Sequence, residues 1–176
     1  MASILTLHTR LHGPATPYAD LVLPYELREK CRLRAVLSNG EEAAVYTVRG
    51  TVLRGGDLLA GEDRAKVVRV VAACEPVYKV TCADPHDLLR CAFHLGNRHT
   101  QAQLGDGFLR IRADAVLGDM LRGLGAVVVE ESAPFEPEAG AYGGGHHHGH
   151  DGAHAHGHPL APVPARQKIH RPSDPA

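Results

Sequence analysis

The sequence predicts an α+β chain in three parts. An N-terminal all-β domain occupies residues 1–73, a βαββαβ domain occupies residues 74–136, and a disordered histidine-rich tail occupies residues 137–176. Three observations carry this. The first half consists of short apolar stretches broken by Gly and Pro, with no helical period. From about residue 75, two amphipathic segments with helix caps alternate with strand-like runs. After Glu131, Pro, Gly and His replace the apolar residues.

In the first half, "ADLVLP" is a short apolar strand ending at Pro24. "CRLRAVLSNGEEAAVYTV" reads as two strands around Ser38-Asn39-Gly40-Glu41, since Asn-Gly tolerates the positive φ that a tight hairpin demands. Gly50, Gly55, Gly56 and Gly61 then punctuate short strands, and "KVVRVVA" closes the set. Many short strands with glycine turns suggest a small β-barrel or sandwich. This half shows no nucleophile–base set and no phosphate-binding loop.

The second half begins with a strand at "VYKVTC". Asp84 supplies a side-chain N-cap and Pro85 fills the first helical position of "PHDLLRCAFHL". Leu88, Leu89, Ala92 and Leu95 mark the apolar face of that helix, and Gly96 is the residue expected to end it. "TQAQL" and "GFLRIRA" follow as strands around Gly105-Asp106-Gly107. Asp114 caps a second helix, in which Val116, Leu117, Met120, Leu121 and Leu124 recur at helical spacing. Gly125 ends that helix, and "AVVVEE" is the last strand. The order βαββαβ is the ferredoxin-like arrangement, a sheet covered by two helices. The stretch "SAPFEPEAGAYGGG" is rich in Pro and Gly and offers little apolar surface, so it reads as extended and then flexible.

Composition narrows the function. The formal net charge of −1 gives no general attraction to nucleic acid or to an anionic membrane surface. No segment approaches the roughly 20 apolar residues of a membrane span. The start, "MASILTLHTRLHGP", lacks the apolar run of a secretory signal, so a cytoplasmic protein is expected. Cys31, Cys74, Cys82 and Cys91 form no CxxC pair, which argues against a zinc ribbon or a thioredoxin-like motif. In a reducing compartment they read as small apolar side chains. Cys91 lies three residues before His94, close enough to share a helix face with it.

The chemistry is concentrated in "HHHGHDGAHAHGH". His146, His147, His148, His150, His154, His156 and His158 occur there, interspersed with Gly, Ala and Asp rather than in one engineered block. Imidazole with an ordinary pKa of about 6.5 is mostly neutral at pH 7 and free to coordinate. Intervening glycines let a chain wrap several rings around one ion. Imidazole suits late transition metals, and the Irving–Williams order favours Ni²⁺ and Cu²⁺ over lighter ions. Composition leaves the choice among Ni²⁺, Zn²⁺ and Cu²⁺ open. A second group, "FHLGNRHTQ", holds His94, Arg98 and His99. His94 and Arg98 suit a helix C-terminus by charge alone. His99 lies past the expected helix stop. One exposed imidazole is a poor site, but a two-fold axis beside it would present two to one ion.

The combination of "HLGNRH" (94–99), "VLGDMLRGLGA" and "APFEPEAGAYGGGHHHGH" (133–150) resembles the UreE family of urease accessory proteins, and "LSNGEEAAVYTVRGTVLRGGDLL" in the first half is similar to that family too. The resemblance implies a homodimeric metallochaperone, without catalytic turnover, that delivers Ni²⁺ to apo-urease. It implies an N-terminal domain described as peptide-binding and a ferredoxin-like metal-binding domain. It makes His99 the nickel ligand at the dimer interface, completed by the histidines of the tail. It also implies the GTPase UreG and the UreD and UreF proteins as partners. One departure is visible: Ala113 and Ala115 stand where some members carry histidines for peripheral sites. Two rivals remain. A histidine-rich nickel or zinc storage protein would share the tail but leaves the folded domains and His99 unexplained. A metal-dependent hydrolase would need a fixed His/carboxylate set, and no such spacing is visible.

Overall fold

The computed structural model describes residues 4–139. Fourteen elements run in the order β1 (Leu5–Leu7), β2 (Thr9–Leu11), β3 (Ala19–Leu23), α1 (Tyr25–Arg28), β4 (Arg32–Val36), β5 (Glu42–Tyr46), β6 (Leu58–Ala60), β7 (Val67–Ala72), β8 (Cys74–Thr81), α2 (Pro85–Gly96), β9 (Gln103–Gly105), β10 (Phe108–Arg112), α3 (Ala115–Gly123) and β11 (Val127–Pro134). The expected tail, including His146 to His158, lies outside the described residues.

The first seven strands form two sheets, β1-β5-β4 and β2-β6-β7-β3. Both feed one core. Leu7, Ala43 and Val45 of the first sheet meet Leu21, Leu59, Val68 and Val70 of the second, all buried. The half is a small two-sheet sandwich. The β4–β5 hairpin forms at the expected residues, with Arg32 opposite Tyr46 and Val36 opposite Glu42. Its turn closes through the Leu37 amide donating to the Glu41 carbonyl at 2.8 Å, and Gly40 takes φ +87°. β1–β5 and β3–β7 pair in parallel.

One helix was not expected in this half. Pro24, with φ −67°, starts the single turn of α1, and "YELR" is too short to display a period. The turn has a purpose. It buries Tyr25 and carries Arg28 inward until that side chain is wholly inaccessible.

β8 to β11 form a sheet of order β11-β8-β10-β9, antiparallel at every junction. With α2 and α3 as its crossovers, this is the ferredoxin-like βαββαβ topology expected from the sequence. The helices begin as anticipated: the Asp84 carboxylate accepts from the His86 amide at 2.8 Å, and Asp114 accepts from Leu117 at 2.9 Å. Val80, Cys91, Leu95, Leu109, Ile111 and Leu121 form the core between sheet and helices.

The segment after Glu131 differs from expectation. β11 runs on to Pro134, paired throughout with β8. Phe135 is fully buried and meets the Tyr25 ring edge-on, centroids 5.4 Å apart. The prolines end the strand without freeing the chain, because Phe135 has an apolar niche formed by Tyr25, Val77, Val52 and Ala133. The next residue fixes it further. Glu136 accepts from Arg28 Nη1 at 2.8 Å, from Arg54 Nη1 at 3.1 Å and from the Gly55 amide at 2.8 Å. Arg28 also donates to the carbonyls of Phe135 at 2.5 Å and Leu53 at 3.2 Å. Burial alone would raise the Glu136 carboxyl, but the Gly55 amide and the two guanidinium groups outweigh it and hold the pKa below the usual carboxylate value. Acid therefore has a defined effect. The carboxylate's stabilisation is present above the unfolded value, near pH 4.3, and is lost as pH falls through the lower folded value. Thermal midpoints of metal-free protein should decline as pH is taken below about 4. In a Glu136→Gln variant that decline should be shallower.

Candidate metal site

α2 carries its candidate residues on two different faces. Cys91 and Leu95 point into the core, whereas Leu89 and Phe93 remain 68% and 64% exposed. His94 is half-buried beside the Phe93 ring. The Cys91–His94 pairing considered from spacing does not form a metal group. Cys91 is inaccessible, and its sulfur lies 4.0 Å from that of Cys82. Burial, and then the neighbouring Cys82, push the Cys91 thiol up to about 11. Among the described residues no three His, Cys, Asp or Glu side chains come together as a ligand set.

α2 ends at Gly96, within a residue of the expected stop, but Gly96 is not the left-handed cap. Gly96 stays helical and the chain continues through Asn97 and Arg98. His99 then takes φ +53°. The His99 amide donates to the Gly96 carbonyl at 2.9 Å, and the Thr100 amide donates back to the Leu95 carbonyl at 3.1 Å. This pair of bonds is a Schellman closure with His99 at the left-handed position. α3 ends with the same pair: Gly125 donates to Arg122 at 2.9 Å and Ala126 to Leu121 at 3.1 Å. There the left-handed residue is glycine, at φ +89°. One domain thus solves the same backbone problem twice, with glycine once and with histidine once. A side chain in the left-handed region costs on the order of 1 kcal/mol relative to glycine. Arg64, also exposed, takes the same φ of 53° in a loop of the first half, so His99 is set apart by standing at a helix end whose counterpart on α3 is glycine.

His99 is exposed on the rim of a shallow depression of about 420 Å³, shared with Arg98, Thr100, Gln101, Arg112 and Asp114. Arg98 Nη1 donates to the His94 carbonyl at 3.1 Å, which satisfies one of the open carbonyls of the last turn. Gln101 reaches back to Glu29 at 2.7 Å, and Asp114 is committed to its helix cap. His99 is the histidine of this group left facing outward. Ala113 and Ala115 flank Asp114 at the start of α3, so this surface offers no peripheral imidazoles. Sequence reasoning missed Arg28, Phe135 and Glu136, which tie the base of the tail to the β-sandwich. The "PFEPE" stretch holds Phe135 and Glu136, but nothing local to it or to Arg28 announced their contact.

The described residues thus combine a two-sheet β half, a ferredoxin-like domain and an exposed histidine at the end of α2, and the sequence continues into a histidine-rich stretch. Two family models match the chain: UreE urease accessory protein, N-terminal domain, over residues 2–73, and UreE urease accessory protein, C-terminal domain, over residues 75–159. A urease accessory protein UreE from Nitrosospira multiformis is 64% identical over 173 residues, covering 97% of this chain and 98% of that one. Another from Janthinobacterium sp. (strain Marseille) is 63% identical over 173 residues, covering 98% and 99%. A third, from Cupriavidus necator, is 60% identical over 131 residues, covering 74% and 68%. The chain belongs to the UreE family of urease accessory proteins. Among the described residues no helix is long and apolar enough to cross a membrane.

Proposed function

We propose that this protein is a cytoplasmic, homodimeric nickel chaperone that delivers Ni²⁺ to apo-urease while the urease active site is assembled. The observation that carries the reading is His99, an exposed imidazole kept where the fold would prefer glycine. Nickel is cargo here. It must be held firmly, yet remain open to exchange.

Three features support the two-fold arrangement. A single imidazole beside Arg98 and Arg112 is a weak place for a dication, and a second copy of His99 supplies the missing donor. Leu89 and Phe93, one turn apart on α2, give an unpaired apolar strip on the helix that ends at His99. Residues 146–158 bring further imidazoles, which can be exchanged one at a time for those of an acceptor. In this reading residues 1–73 form the β domain that docks protein partners, residues 74–136 form the metal-binding dimer domain, and residues 137–176 act as ligand-bearing tail. UreG and the urease–UreD–UreF assembly are the proposed recipients. Zn²⁺ and Cu²⁺ would compete for the same ligands.

Calorimetric nickel titration of the full chain, and of a chain ending at Gly145, tests the proposal. The full chain should show one tight ion per dimer plus several weaker ions, and the shortened chain should lose most of the weaker ones. Many equivalent ions with no distinct tight site would favour storage instead. The shortening should leave the metal-free thermal midpoint within about 1 °C, because residues too polar and glycine-rich to build a core contribute little to one. Metal must be absent from that comparison, since a ion bound only to the native state stabilises by mass action.

Acid should release nickel. Each imidazole must lose its proton before it coordinates, so apparent affinity should rise from pH about 5.5 to about 7.5. In a titration series, stoichiometry should fall first as pH drops, and the tight ion should be lost last. Flat stoichiometry and affinity across that range would make carboxylates the ligands.

A further inference from the structure

Cys82 directly follows β8, and Cys91 lies in the middle of α2. Their sulfurs are 4.0 Å apart across the strand–helix interface. Cys91 is wholly buried, and Cys82 is partly buried at the edge of the same apolar core. Neither sulfur serves the nickel site described above, and Cys91 makes no group with His94.

We propose that Cys82 and Cys91 are a peroxide-oxidisable pair that closes to an intramolecular disulfide joining the end of β8 to α2. Two uses of a close thiol pair compete. A soft metal ion held by both sulfurs would bury two thiolates with no third ligand, since no further His, Cys, Asp or Glu completes a group among the described residues. A disulfide is neutral and releases both protons to water, so it suits an apolar core. The separation already lies within sulfur–sulfur contact, and closure to the bond length of about 2.05 Å asks each sulfur to move by about 1 Å.

The chemistry divides by exposure. Cys82 is the less buried of the two thiols and therefore the one a small peroxide meets first. Its sulfur attacks the O–O bond; an S–O bond forms, the O–O bond breaks, and the departing hydroxide leaves as water with the thiol proton. The resulting sulfenic acid faces Cys91. The Cys91 sulfur displaces the sulfenic oxygen, an S–S bond forms, and the second hydroxide leaves as water with the Cys91 proton. Two thiols and one hydrogen peroxide give one disulfide and two waters. The second step is slowed by the raised Cys91 thiol. Contact between the sulfurs compensates by making the second step intramolecular.

The test uses the full, metal-free chain with excess hydrogen peroxide at neutral pH. Remaining thiols are then alkylated under denaturing conditions and the non-reduced digest is read by mass spectrometry. The expected result is a Cys82–Cys91 cross-linked peptide that disappears on reduction. In Cys82→Ser, and separately in Cys82→Ala, Cys91 should be recovered as free thiol at least tenfold more slowly lost than in the parent. Recovery of Cys91 as a free thiol in the peroxide-treated parent, whatever has become of Cys82, overturns the proposal. Loss of Cys91 at an unchanged rate in both Cys82 variants overturns it equally.

Discussion

His99→Gly is expected to abolish the tight nickel ion while raising the stability of the metal-free protein. The two effects come from one atom set. Removing the imidazole removes the ligand proposed at the end of α2. Removing its Cβ relieves a residue held at φ +53° in a Schellman closure whose counterpart on α3 already uses Gly125. The expected gain is on the order of 1 kcal/mol, since every backbone hydrogen bond of the closure is retained. For a chain of this size that is a rise of about 2–4 °C in the metal-free midpoint. His99→Ala should lose the same ion without the gain, because alanine at positive φ is strained as well. Calorimetry and thermal melts on the same three proteins would check both effects. A glycine variant that still binds one tight ion per dimer would remove His99 from the site; one that melts lower would show that the imidazole is packed rather than presented.

The second large effect is expected at the junction of the tail and the β-sandwich. Glu136→Ala should cost on the order of 3 kcal/mol. The change leaves Arg28 buried with carbonyl partners only, and uncompensated buried charge is the expensive outcome of breaking such a pair. Glu136 is itself 30% exposed at the side chain, which holds the figure at the lower end. Phe135→Ala should cost about 3–5 kcal/mol, the range for emptying an aromatic niche. Denaturant midpoints report both. Neither residue is a nickel ligand in this account, so tight-ion stoichiometry in the folded variants should not change. A Glu136→Ala protein as stable as its parent would mean that the Arg28 contacts are incidental.

Local rules carried the sequence reading well, and long-range contacts limited it. The 38–41 hairpin, the Asp84 and Asp114 caps and the Gly125 stop each depend on residues within a few positions, and all stand in the structure. The antiparallel ferredoxin-like order followed from the alternation of those elements. The parallel β1–β5 and β3–β7 pairs bring together strands far apart in the chain, and nothing in either strand's own pattern announces its partner. Arg28 meets Glu136 across 108 positions, so a charged residue in a four-residue helix gave no sign of being buried. Gly96 misled for a specific reason. Glycine is allowed in a helix as well as in the left-handed region, and Leu95, packed in the core at 1% exposure, anchors a closure one turn further on. His99 was visible as a candidate from its motif. That it occupies a glycine's position was visible only in the backbone.

The most direct test of delivery is transfer itself. Nickel-loaded protein would be mixed with apo-urease and the UreG, UreD and UreF proteins, with a chelator present to remove free nickel, and urease activity would be followed. The account predicts activation by the parent chain and activation near the chelator-only background with His99→Gly, although that variant folds at least as well. Equal activation by both proteins would contradict it.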